Sequence, residues 1–127
     1  MSVRVSIEVL DALSSEQPVV ALETAVLTAG LPKEPWNQEF GQSPMIENDD
    51  ELVHLALARA ITKTVRGGDA VPAWICVLNG ELVIGASYEE LCQITCSKEN
   101  TKCSLSNIAI EMQSKLNAGT TVATTLL

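Results

Sequence analysis

The chain has 127 residues, enough for one domain with a sizeable buried core and too few for two independent domains. Its 16 Asp and Glu residues outnumber its 8 Lys and Arg residues, and the formal net charge of -8 would repel a nucleic-acid backbone. Hydrophobic residues make up 46% of the sequence but aromatic residues only 3%, which predicts an aliphatic core. We therefore expect an α/β domain that does not bind nucleic acid.

The N-terminal residues 1–13 alternate charged and apolar side chains and lack the continuous apolar segment of a secretory signal. No stretch approaches the roughly 18 apolar residues that a membrane span requires. We expect a cytoplasmic protein, or an organellar one, that is neither secreted nor bound to a membrane.

Cysteine and histidine spacing bears on metal binding. The four cysteines are Cys76, Cys92, Cys96 and Cys103. They include one C-x3-C pair but no CxxC pair, so zinc-finger spacing is absent and we expect reduced, mostly buried thiols and no metal site. The single histidine, His54, has no partner that the sequence can name, and we expect it at a surface or boundary position.

The first part of the chain predicts a helix, a strand and a loop. Apolar residues at near-helical spacing predict a helix over 6–14, and the continuous apolar run 19–22 predicts a strand buried on both faces that ends at Glu23. Glycines and prolines interrupt the polar residues 31–49, which predicts a long loop or insert.

The next elements have clear local signals. A helix follows Asp49 and Asp50, which could cap it, and the Gly67-Gly68 pair ends it. The apolar run 71–78, the Asn79-Gly80 turn signal and the run 81–84 predict a β-hairpin.

The last elements begin with a capping box. Ser87 and Glu90 match this motif, so a helix should begin there and the serine should be structural. Residues 101–103 form a short link or a strand before a helix that Ser104 caps and that ends at residues 117–119. A new apolar segment starts at Thr120. Its unsatisfied hydrophobic surface suggests that a further part of the chain normally follows. The alternation of elements predicts α/β architecture with a mixed or parallel sheet and flanking helices.

A few residues could carry chemistry. Glu23 closes an apolar strand and lies either at a surface edge or in a pocket, where a carboxyl group could act as a general acid. Lys102 precedes a predicted helix start, and residues 119–121 offer a glycine, two hydroxyls and free backbone N–H groups at another. Together these groups could hold a phosphate.

Five ordered blocks carry a resemblance to a known family. They are PVVALET at 18–24 with Gly30 and Pro32, GDAVPA at 68–73 with LNG at 78–80, the G-x-S-x-E-E-L turn at 85–91, Lys102-x-Ser104, and AGTTVA at 118–123. These blocks resemble the pseudouridine-5'-phosphate glycosidases, also called indigoidine synthase A-like proteins. The exception is the loop from Lys33 to Glu47, which looks enlarged or divergent.

The resemblance implies reversible cleavage of the C–C glycosidic bond of pseudouridine 5'-phosphate, giving uracil and ribose 5-phosphate. It implies a lysine Schiff base, a divalent metal, usually Mn²⁺, and a homo-oligomer, a trimer in the family. By position, Glu23 corresponds to the proton donor. The substrate-contacting positions correspond to Lys102, Gly119, Thr120, Thr121 and Val122.

The chain also departs from the family pattern. The Schiff-base lysine and the metal-binding aspartate lie beyond the last matching block, which implies a truncated N-terminal part of the family fold over residues 1–127. Ala29 replaces a histidine of the family, and Leu105 and Ser106 replace a basic pair. The alternatives are an enzyme fragment or isoform, a truncated non-catalytic member that acts as a binding or oligomerisation module, and, more weakly, a phosphate-binding module.

Overall fold

The computed structural model describes residues 2–31, 34–35, 51–96, 101–103 and 118–120. In chain order the elements are β1 (Val3–Val5), α1 (Ile7–Ser14), β2 (Val19–Glu23), a π-helical turn (Val26–Gly30), α2 (Val53–Gly67), β3 (Val71–Leu78), β4 (Glu81–Ile84), α3 (Tyr88–Cys96), β5 (Thr101–Cys103) and β6 (Ala118–Thr120).

The described strands form one mixed sheet in the order β1-β4-β3-β6-β5, and β2 also pairs with β3. The pairs β1–β4, β2–β3 and β5–β6 are parallel, whereas β3 is antiparallel to β4 and to β6. The predicted α/β class with a mixed sheet and flanking helices is confirmed.

Two strands share one side of β3. Ile75 pairs with Ile84 of β4 and with Glu23 of β2, while the next residue, Cys76, pairs with β4 and with Gly119 of β6. Because a strand has only two in-plane neighbours, β2 and β6 lie one after the other on the side of β3 opposite β4.

The core lies on both faces of β3, whose eight residues are all buried. Alternate side chains point to opposite faces of a sheet. Trp74, Cys76 and Leu78 therefore join one apolar cluster with residues of the π-helical turn, α2 and α3, while Val71 and Ala73 join a second cluster with α1. Strand β3 thus connects the two helical layers.

Helix boundaries follow local chemistry in part. Ser6 caps α1, and its hydroxyl accepts a hydrogen bond from the Val9 N–H at 3.2 Å, which confirms the predicted first helix. Helix α2 ends at Gly67 as predicted, but it begins at Val53 after the cap residue Leu52, which makes no side-chain capping bond. Asp49 and Asp50, the predicted cap residues, lie outside the described residues.

The hairpin and the capping box are confirmed. Asn79 and Gly80 both have positive φ angles, 51° and 78°, as a type I′ turn requires, and they join β3 to β4. The Ser87 N–H donates to Glu90 Oε1 at 3.1 Å, and the Glu90 N–H donates to Ser87 Oγ at 3.2 Å. Ser87 thus has the expected structural role at the start of α3.

Three local expectations are wrong. Strand β2 is not buried on both faces, since Val20 is 39% exposed on a strand that pairs only with β3 among the described strands. His54 is buried, at 1% exposure, because the first turn of α2 faces the core. Residues Ala118–Thr120 form a strand rather than a helix end, because they pair with β3 and β5.

Some predictions lie largely outside the described residues. Of the predicted loop 31–49, the structure describes Leu31, Glu34 and Pro35; Pro35 forms a β-bridge with Leu52, and the Val53 N–H donates to the Glu34 carbonyl. The helix predicted after Ser104 and residues 121–127 are not described. In the described part, Cys76 is a buried free thiol and Cys92 a partly buried one.

Candidate active site at a strand junction

Three strand ends meet near the middle of β3. Strand β2 runs parallel to β3 and ends at Glu23, opposite Ile75, while β6 runs antiparallel to β3 with Gly119 opposite Cys76. Strand β5 is parallel to β6, so its C-terminal end points the same way. We call this region, formed by residues 23–24, 102–103 and 119–120, the strand junction.

Hydrogen bonds between two buried threonines hold the junction together. The Thr24 hydroxyl donates to the Ile75 carbonyl at 2.6 Å, and the Thr120 hydroxyl donates to the same carbonyl at 2.5 Å. The Thr120 N–H donates to Thr24 Oγ1 at 2.8 Å, and the Thr24 N–H donates to the Thr120 carbonyl at 3.2 Å. Both side chains are fully buried, so the strand ends are fixed by bonds shielded from water.

Gly119 allows the chain that follows β2 to pack on β6. A Cβ atom at this position would lie 2.3 Å from Thr28 Oγ1, 2.9 Å from Ala25 Cα and 2.9 Å from the Thr24 carbonyl oxygen. Glycine is therefore required by a close backbone approach rather than by flexibility. The π-helical turn is thereby held against the junction.

Glu23 directly precedes the buried threonine of this arrangement. It is the last residue of β2 and is half-buried, next to the anchored Thr24. Within the described ranges, no hydrogen bond or ion pair joins its carboxyl group to another side chain. The backbone of Glu23 is fixed by the parallel ladder to β3.

The predicted substrate-contacting residues are partly brought together here. Lys102 lies in β5 directly opposite Gly119, which in turn lies opposite Cys76 of β3. The backbone positions of Lys102, Gly119 and Thr120 thus belong to the same part of the sheet as Glu23. Thr121 and Val122 lie outside the described residues.

Gly119 and Thr120 belong to β6, and the helix start predicted at residues 119–121 extends beyond the described residues. The expectation of a free N–H group at Thr120 is wrong. That N–H is used by Thr24, and the Thr120 hydroxyl is used by Ile75. Substrate contact by residues 119–122 stays a prediction. Sequence reasoning missed Thr24, although it follows Glu23 directly in one of the matching blocks.

A metal site is not formed by the described residues. In ranges 2–31, 34–35, 51–96, 101–103 and 118–120, no group of three or more His, Cys, Asp or Glu side chains could hold a metal ion. The described residues alone therefore offer no ligand set for Mn²⁺. In the same ranges, no helix has the length and apolar character to cross a membrane.

Two clefts lie away from the strand junction. One, of about 540 Å³, lies beside α1 and the start of β3. The other, of about 770 Å³, lies between α2 and the segment that follows β4. Neither is lined by Glu23, Gly119 or Thr120, so the junction is not part of these two clefts.

The fold and the junction define an α/β protein whose candidate site lies where strands end, a common location for ligand sites in such sheets. The model of the family described as indigoidine synthase A like protein matches residues 50–127. The chain belongs to this family.

Similar proteins carry a more specific name. The chain is 32% identical over 127 residues to pseudouridine-5'-phosphate glycosidase 2 of Rhizobium johnstonii, covering 100% of this chain and 35% of that protein. It is 36% identical over 120 residues to the pseudouridine-5'-phosphate glycosidase of Caldanaerobacter subterraneus, covering 94% of this chain and 33% of the relative. The chain thus spans about a third of the length of these relatives.

Solved structures give the same fold. An indigoidine synthase A-like protein of Thermotoga maritima matches with a TM-score of 0.72 at 27% identity, over 98% of this chain and 34% of that one. The prealnumycin C-glycosynthase AlnA, solved in complex with ribulose 5-phosphate, matches with a TM-score of 0.71 at 29% identity, over 99% of this chain and 34% of that one.

Proposed function

We propose that this chain forms the strand-junction part of a pseudouridine-5'-phosphate glycosidase active site. The reaction would be the reversible cleavage of the C–C glycosidic bond of pseudouridine 5'-phosphate to uracil and ribose 5-phosphate. The observation that carries this proposal is the register of the ladder: Glu23, at the end of β2, and Gly119 of β6 lie opposite consecutive residues of β3, and Lys102 of β5 lies opposite Gly119. Relatives named for this activity support it at 32% and 36% identity.

In this proposal Glu23 is the proton donor. Its carboxyl group lies at the end of a hydrogen-bonded strand, where the chain direction is fixed while the side chain stays half-buried. A general acid must hold its proton at a defined position next to the reacting atom. The threonine bonds one residue further along provide that positioning without using the carboxyl group.

Lys102 would attract the phosphate group of the substrate. The chain carries a net charge of -8, so an anionic substrate needs a local positive charge near the site. The ladder places Lys102 opposite Gly119 and thereby fixes its backbone relative to β3. The resemblance implies Mn²⁺ and a Schiff-base lysine. The ligands of the Mn²⁺ and the lysine would be residues other than those described.

A second candidate function is a non-catalytic binding or oligomerisation module. The departures from the family pattern favour it, because Ala29 stands in place of a histidine, and Leu105 and Ser106 stand in place of a basic pair. In that case the junction would be kept for folding alone. A homo-oligomer is part of both proposals.

A chimaera tests the proposed role of Glu23. Residues 1–127 would replace the part of the Rhizobium johnstonii protein that they match, and uracil release from pseudouridine 5'-phosphate would be measured with Mn²⁺ present. We expect the chimaera to release uracil and Glu23→Gln to lower kcat by at least about 100-fold, as loss of a general acid does. The chain alone should release none.

The matched control is Glu89→Gln, which removes the same charge at an exposed position in the first turn of α3. It should leave kcat unchanged. Equal activity of Glu23→Gln and Glu89→Gln would refute the role of Glu23. Calorimetric binding of ribose 5-phosphate to both variants checks that the chimaera is folded.

A further inference from the structure

The cleft of about 770 Å³ has a structural cause in the unequal lengths of β3 and β4. Strand β4 pairs with β3 only from Ile75 to Leu78, so none of the described strands lies beside the first half of β3 on this side. The chain leaves the sheet at Gly85, where the N–H groups of Gly85 and Ala86 both donate to the Trp74 carbonyl at 2.9 Å. The gap next to Pro72 and Trp74 becomes the cleft.

Proline is suited to this position. The Val71 N–H donates to the Pro18 carbonyl, on the β2 side of β3. Because successive backbone N–H groups of a strand point to opposite sides, the nitrogen of Pro72 faces the cleft side, where none of the described strands could accept a hydrogen bond. The cleft wall therefore presents no unsatisfied backbone donor at Pro72.

The interior of the cleft is mainly apolar. Its lining includes Ala58, Pro72, Trp74, Tyr88 and Leu91. Trp74 and Leu91 are 3% and 2% exposed, so the floor reaches down to the core. The Trp74 indole N–H donates to Thr62 Oγ1 at 2.9 Å, which fixes the ring plane.

The rim carries three cations of α2: Arg59, Lys63 and Arg66. Arg59 makes two hydrogen bonds of 2.8 Å to the Glu51 carboxylate, and Arg66 makes two of 2.9 and 3.0 Å to the Glu8 carboxylate. Lys63 forms no ion pair within the described part of the chain. Among the described residues its positive charge is therefore unpaired at the mouth of the cleft, because the Glu8 carboxylate that also lines the cleft is bound by Arg66.

We propose that this cleft binds a small apolar molecule that carries a carboxylate group. The apolar part lies on Trp74 and the carboxylate lies at Lys63. Apolar pockets with a few well-placed polar groups are the usual form of small-molecule sites. This site lies on the other side of β3 from the strand junction and uses none of its residues, so it goes beyond the proposed function.

A pair of probes tests the proposal. The carboxylate 2-naphthoxyacetate and its neutral amide would be titrated into the full chain carrying Trp36→Phe, which leaves Trp74 as the only tryptophan. Binding would be followed by calorimetry and by tryptophan fluorescence. We expect the carboxylate to bind more tightly than the amide, to change the Trp74 emission, and to bind more weakly as salt is added.

Matched variants isolate the contribution of Lys63. Lys63→Gln and Gln93→Glu each lower the net charge by one at an exposed helical position, but only residue 63 lines the cleft. Lys63→Gln should weaken carboxylate binding by about threefold, the effect of one exposed ion pair, and leave the amide unaffected. Gln93→Glu should leave both unchanged, and Lys63→Arg should retain tight binding.

Several results would overturn the proposal. Equal binding of the carboxylate and the amide would remove the anion contact, and binding without a Trp74 signal would place the probe elsewhere. Absence of binding to the folded chain, or a probe affinity that falls as protein concentration rises, would show that the cleft is closed or filled by a second copy. Uracil release by the chimaera is a separate measurement, so failure here leaves the Glu23 role standing.

Discussion

At the residue scale, the junction depends on small polar side chains that are removed from water. Thr24 and Thr120 are fully buried, and together they give the Ile75 carbonyl two hydroxyl donors. Thr24 has a further role, because its hydroxyl oxygen accepts from the Thr120 N–H. The two hydroxyl groups therefore differ in which backbone groups lose a hydrogen bond when the hydroxyl is removed.

The first prediction compares Thr24→Val with Thr120→Val. Valine has the same shape as threonine, so both variants keep the packing and remove only the hydroxyl. Thr24→Val removes the hydroxyl oxygen that accepts from the buried Thr120 N–H and should lower the free energy of unfolding by about 1–3 kcal/mol, more than Thr120→Val does. Urea denaturation measures both, and equal or smaller losses for Thr24→Val would contradict this assignment of the bonds.

Burial also sets the chemistry of Cys76. Removal from water raises the pKa of its thiol to about 12, so the side chain stays neutral in the folded protein and acts as an apolar core residue. This agrees with the expectation of reduced, buried thiols drawn from cysteine spacing.

At the element scale, glycines that look equivalent in the sequence have different tasks. Gly119 lies in β6 against the backbone of Thr24 and Ala25, whereas a Cβ atom at Gly67 would meet nothing within 4 Å at the end of α2. The first position is closed to any side chain and the second is open.

The second prediction uses this contrast. Gly119→Ala should lower the free energy of unfolding by about 1–3 kcal/mol, because the new methyl group is forced against backbone atoms. Gly67→Ala should be neutral or raise it by up to about 1 kcal/mol, since alanine favours the helix. Thermal and urea denaturation of the two variants provide the comparison, and equal effects would show that β6 does not pack as described.

Elements defined by neighbouring residues could be predicted from the sequence, and those defined by distant contacts could not. The Asn79-Gly80 turn and the Ser87–Glu90 box are complete local signals, and both appear as expected. The strand at Ala118–Thr120 and the burial of His54 depend on pairing and packing with distant parts of the chain. Glu23 could be identified by resemblance, but the role of Thr24 depends on its hydrogen bonds to Thr120 of β6, which is distant in the sequence.

At the scale of the whole molecule, β3 makes the two faces of the sheet one cooperative unit. Trp74 packs in the cluster with α2 and α3, while the neighbouring Ala73 packs in the cluster with α1. Loss of either cluster removes support from the same strand. Both clusters should therefore unfold in one transition.

The third prediction tests this coupling with Val9→Ala in the chain carrying Trp36→Phe. Val9 is 2% exposed in the α1 cluster, and its truncation should lower the free energy of unfolding by about 1–3 kcal/mol. The urea midpoint seen by Trp74 fluorescence should fall as far as the midpoint seen by far-UV circular dichroism. A fluorescence transition that stays in place would mean that the two layers unfold separately.

The bond between Thr24 and Thr120 joins positions 96 residues apart in the chain. During synthesis Thr24 is added early, and Thr120 is added 96 residues later. The hydrogen bonds between the two threonines can therefore form only after almost the whole of this sequence has been synthesised. The hairpin of β3 and β4 needs no such delay, since its two strands are joined by a two-residue turn. The proposed catalytic carboxylate therefore acquires its fixed position only after the hairpin sequence is complete, which links the timing of translation to the moment at which the site can form.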